Sequence, residues 1–181
     1  MSRGDDDPRV AGADVGRLGE LSDHIEGHAS SKDSSELRAA AVLVEHLNAR
    51  GAHWGPPTLY RGKEIGVDAV AADGAERLQI QVTTPERSGW ALLAKQHRLE
   101  RSDPGVHNAV DAIKAAIEDK TLFSELDEIV LALDATDSPR YALRAVADAF
   151  LARRVAWAAG VGYQAIWLVG PVADLVHRLD V

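Results

Sequence analysis

The chain has 181 residues, of which 46% are hydrophobic and 27% charged, the proportions of one globular domain with a full core. It contains no cysteine, which excludes disulfides, thiolate zinc sites and cysteine nucleophiles. Its formal net charge of -8 speaks against a surface built to neutralise duplex phosphate, though not against a local basic patch. No apolar run reaches the ~18 residues of a membrane helix and no signal peptide opens the chain, so a cytoplasmic protein without membrane partners is expected.

Residues 1–32, rich in Gly, Asp, Ser and Arg, are expected to form a flexible arm in which Leu18, Leu21 and Ile25 allow a helical turn or two. Residues 33–181 are expected to form a single α/β domain. Asp33 and Glu36 have the spacing of a capping box, with Asp33 as N-cap. A helix should follow to about Arg50 and stop at Gly51, with Leu37, Ala40, Val44 and Leu47 on its apolar stripe. Three strands come next, over 58–61, 66–72 and 77–84, with a hairpin turn at Asp73-Gly74. Residues 88–101 suit a helix or a loop carrying Trp90. Pro104 opens a helix running to about Lys120, with Val106, Val110, Ile113 and Ile117 as its core face. Residues 128–134 (EIVLALD) read as a fully buried strand. Ser138-Pro139 opens a long helix to about Ala159, residues 165–169 make a second buried strand, and a short helix over 172–179 closes the chain. Strands alternating with helices in the second half predict a mixed sheet, an antiparallel meander joined to parallel strands and flanked by helices.

The third strand carries the chemistry. Leu78, Ile80 and Val82 alternate with Gln79, Gln81 and Thr83, so the polar set shares one face of the sheet. A turn at Asp73-Gly74 sets Asp68 opposite Gln79, and a turn at Gly74-Ala75 sets it opposite Gln81. In both registers Asp68 joins the polar face, among apolar neighbours where a charge needs a partner or a metal.

Gly66-Val67-Asp68-Ala69-Val70 resembles the second strand of the PD-(D/E)XK superfamily of restriction endonuclease-like nucleases, which carries an Asp. Ile80-Gln81-Val82-Thr83-Thr84 resembles its third strand, where the family has Glu or Gln, an apolar residue, and Lys. The resemblance covers residues 35–169 and implies a restriction endonuclease-like core. It further implies a Mg²⁺ site in which Asp68 and Gln81 are ligands, Thr83 orients water, Glu36 assists from the first helix, and Lys95 or Arg87 supplies the cation. The sequence departs from the family pattern twice. Gln81 lacks the charge of the usual Glu, and Thr83 replaces the usual Lys. Gln79-Ile80-Gln81 also fits the motif spacing.

Each candidate has a plainer reading. Glu36 suits a capping box, Asp68 suits a turn-proximal residue bonded to backbone amides, and the polar strand face suits half-exposure. Arg87, Lys95, Arg98 and Arg101 form the densest basic segment, either a phosphate-backbone contact or a solvated helix face. Asp134 and Asp137 follow the fourth strand, where loop capping is the plainer role and a ligand site the other. Two functions stay open. One is a Mg²⁺-dependent phosphodiesterase acting on DNA. The other is a non-catalytic module that keeps the nuclease fold to bind a protein or a nucleic acid; a homo-oligomer is open with both.

Overall fold

The computed structural model describes residues 31–62, 66–95, 103–121 and 126–181. The expected arm lies outside them except for its last two residues, which are helical. Helix α1 spans Ser31–Asn48, so Asp33 is not its N-cap. Asp33 sits inside the first turn and its carboxylate pairs with Arg61 at 2.8 Å. A carboxylate in a first turn is favoured by the positive end of the helix whether or not it caps. Glu36 pairs with Lys32, one turn before it, at 3.3 Å. The helix gives way at Gly51, whose φ of 99° is costly for any other residue.

Strands β1 (Thr58–Leu59), β2 (Ala69–Asp73) and β3 (Glu76–Thr83) form the antiparallel meander. The β2–β3 turn is Gly74-Ala75, with Gly74 at φ 58°, and Ala69 faces Ile80. That is the shifted register, which brings Asp68 beside Gln81 rather than Gln79. The ladder is irregular here. Ala69 is the Cα partner of Ile80, yet the Asp68 amide donates to the Ile80 carbonyl at 2.9 Å. Two residues standing against one is the pattern of a β-bulge. Asp68 Oδ2 then accepts the Val82 amide at 2.7 Å, a bond that a regular ladder draws from backbone.

Beyond β3 lie the short helix α2 (Arg87–Ala91), a 3₁₀ turn (Leu93–Lys95) and helix α3 (Pro104–Lys120). Strand β4 (Ile129–Asp134) runs parallel to β3, helix α4 (Arg140–Ala159) crosses over, and β5 (Ala165–Val169) runs parallel to β4. The helix expected over 172–179 is instead a 3₁₀ turn (Ala173–Leu175) and a strand, β6 (Val176–Arg178), antiparallel to β5. Its apolar residues had helical spacing, but the free edge of β5 offers backbone partners that a short terminal helix lacks. The Leu179 amide donates to the Ile166 carbonyl at 2.8 Å.

The chain is therefore an α/β protein with a six-stranded mixed sheet, ordered β1 to β6 in sequence, and four α-helices among the described residues. The period-two pattern of β3 divides the core. Leu78, Ile80 and Val82 pack under α1 with Leu43 and Val44. Leu131 and Leu133 of β4 pack on the other face with Ile113 of α3 and Phe150 of α4. Each fully buried Leu, Ile or Phe contributes about 1.5–3 kcal/mol by leaving water. Among the described residues no helix is long and apolar enough to cross a membrane.

Candidate functional site

Gln81 is 1% exposed and turns away from α1, towards the α3 side of the sheet. A buried amide needs partners, and its partner is Tyr163, from the loop between α4 and β5. The Tyr163 hydroxyl donates to Gln81 Oε1 at 2.5 Å. It also stands 3.2 Å from the carbonyl of Lys120, one of the last carbonyls of α3 and so without a partner inside the helix. Gly162, at φ 106°, turns the chain just before this tyrosine. A phenol has one proton, so the short bond to Gln81 dominates and the Lys120 contact shares it. Burial first, and then the nearby Asp68 carboxylate, push the Tyr163 hydroxyl up to about 12. Tyr163 is a neutral donor at every physiological pH.

Asp68, Gln81 and Tyr163 thus form one polar cluster spanning β3, the bulge before β2 and the loop before β5. The residues offer a Mg²⁺ ion one carboxylate and one amide, less charge than two carboxylates would. Such an ion takes six oxygens in a near-octahedral shell. Here the amide oxygen it would need already accepts a hydroxyl proton, and one oxygen of its only carboxylate already accepts a ladder amide. Among the described residues no three His, Asp or Glu side chains converge as metal ligands.

The other expected site residues are dispersed. Thr83 ends β3 half-buried, beside Leu133 of β4. Glu36 belongs to α1, which covers the opposite face of the sheet from Gln81, and is held by Lys32. Lys95 is exposed at the end of the 3₁₀ turn and pairs with neither Asp68 nor Gln81. Arg98 and Arg101 lie outside the described residues. Arg87 is exposed at the rim of a cleft of about 250 Å³ beyond the C-terminal ends of β3 and β4. Ser35, Thr84, Trp90, Asp134 and Asp137 also line it.

Asp134 has an internal role there. Oδ1 accepts the Thr136 amide at 2.9 Å and the Thr136 hydroxyl at 2.6 Å, and Oδ2 accepts the Ser35 hydroxyl at 3.2 Å. Asp137 instead meets two guanidinium groups, Arg38 at 3.0 Å and Arg87 at 3.4 Å. Tyr163 and Arg38 were missed in the sequence. A lone tyrosine in a Gly-rich turn carries no motif. The usable signal was Gln81 itself, a buried amide obliged to have a donor.

Compared with protein-family models, with curated proteins and with solved structures, the chain gives no match.

Proposed function

We propose that the chain is a catalytically silent module with a restriction endonuclease-like core, kept for binding a protein partner. The observation that carries this reading is the Tyr163 hydroxyl bonded to Gln81 Oε1, in the place where the nuclease chemistry needs a metal. The helix, three-strand meander, helix and parallel strand follow the order of that core. The net charge of -8 favours a protein over a nucleic acid, since phosphate contacts draw on an excess of Lys and Arg. The neighbouring placement of Asp68 and Gln81 favours a second reading, a divergent Mg²⁺-dependent phosphodiesterase acting on DNA.

A plasmid-nicking gel at low salt separates the two, with Mg²⁺ or Mn²⁺ and three proteins: unmodified, Asp68→Ala, and Gln81→Glu with Thr83→Lys. The binding module leaves the plasmid intact with the unmodified and Asp68→Ala proteins, and retards no DNA in the same gel. The double variant mainly loses stability, because a second carboxylate beside Asp68 and a lysine without a partner are both costly. Metal-dependent nicking by the unmodified protein that disappears in Asp68→Ala would establish the phosphodiesterase instead.

A further inference from the structure

The cleft beyond β3 and β4 takes no part in the Asp68–Gln81–Tyr163 cluster, so what it binds is independent of the reading above. Pro85, Ala91 and the edge of Trp90, which is 6% exposed, give it an apolar wall. Its rim carries Arg87 and Asp137. Arg38 reaches the same carboxylate from α1. Two guanidinium groups from different elements therefore converge on Asp137 at the mouth of a partly apolar cavity. The three side chains remain wet, at 83% for Arg87, 50% for Arg38 and 60% for Asp137. Ion pairs of that exposure are weak and exchange readily for a better anion. Asp134 also lines the cleft and keeps its charge while it accepts bonds from Ser35 and Thr136, so an anion is held at the Arg38–Arg87 rim and not deep in the cavity. A phosphate offers paired oxygens to each planar guanidinium fork and carries more charge than a carboxylate.

We propose that this cleft binds a small phosphate monoester with a planar apolar body. Arg38 and Arg87 hold the phosphate, the Pro85–Trp90 wall takes the ring, and Asp137 acts as an internal competitor for the two guanidiniums.

The test is calorimetric titration of the full chain with phenyl phosphate, inorganic phosphate and phenol. Phenyl phosphate binds saturably, inorganic phosphate binds more weakly, and phenol gives no saturable heat. Arg87→Ala weakens phenyl phosphate about tenfold, the scale of one lost charge-assisted hydrogen bond pair. Asp137→Asn tightens it about threefold or more, because the competitor loses its charge. The opposite signs of the two variants cannot come from a damaged fold, and both side chains are exposed enough to leave circular dichroism unchanged. Phenyl phosphate binding no tighter than inorganic phosphate, an Asp137→Asn protein that binds no tighter than the unmodified one, or no saturable heat at all overturns the proposal.

Discussion

Tyr163 is the residue on which the account turns, because one hydroxyl serves an amide of β3 and a helix-terminal carbonyl of α3. Tyr163→Phe removes the donor to the buried Gln81 oxygen, and should cost about 1–3 kcal/mol in urea unfolding, the penalty for an orphaned buried polar group. Gln81→Leu in the same background should recover part of that loss, since it removes the orphaned acceptor. No recovery would show that Tyr163 acts through something other than this bond. The hydroxyl also leaves a signature in alkali. Its raised value means that its contribution is complete below 10, the ordinary tyrosine value, and is lost as pH rises through about 12. Over that range the unfolded chain releases the proton and the folded one keeps it. A spectrophotometric titration should find one tyrosine ionising later than the others, and that step should vanish in Tyr163→Phe.

At the scale of elements, one histidine joins α1 to the 3₁₀ turn before the C-terminal strand, and a second lies on that strand. His46 is buried and its Nδ1 donates to the Ala173 carbonyl at 2.7 Å, while His177 lies on β6. Burial is the largest cause holding each below 6.5, with Arg50 adding to it at His46, and Arg144 and His46 at His177. Ala173 and Asp174 oppose the shift at the first, and Asp148 at the second. A depressed histidine stabilises the fold while neutral. That contribution is full above 6.5 and is lost as pH falls below it, when the unfolded chain takes up protons first. Stability measured in urea should fall between neutrality and about pH 5, and His46→Gln should flatten the fall. An unchanged slope would remove His46 from the cause.

The same elements show what the sequence could carry. The Val106, Val110, Ile113 and Ile117 stripe of α3 and the apolar runs of β4 and β5 were legible because periodicity alone determines them. So was the polar face of β3. The turn position was legible only as two alternatives, since the choice between Asp73-Gly74 and Gly74-Ala75 depends on the whole pairing of β2 with β3. Residues 172–179 misled because Val172, Leu175, Val176 and Leu179 have helical spacing, while the edge of β5 that captures them is a long-range feature. Hydrogen exchange distinguishes the two conformations, with the Leu179 amide exchanging as slowly as those of β5. Leu179→Ala, at a fully buried position, should cost about 2–5 kcal/mol.

At the scale of the whole molecule, the mixed sheet gathers Asp68 from the strand entry, Gln81 from β3 and Tyr163 from a distant loop into one closed cluster. On the proposed function, this cluster is held by protein bonds and not by a metal. Nuclear magnetic resonance with Mn²⁺ tests it directly, because a paramagnetic ion broadens the signals of groups beside it. In a titration of the full chain, the side-chain amide of Gln81 should stay sharp while groups beside exposed carboxylates such as Glu76 broaden, and Asp68→Ala should leave that pattern unchanged. Broadening of the Gln81 amide ahead of the surface groups, abolished by Asp68→Ala, would contradict the account and place a metal where Tyr163 donates its proton.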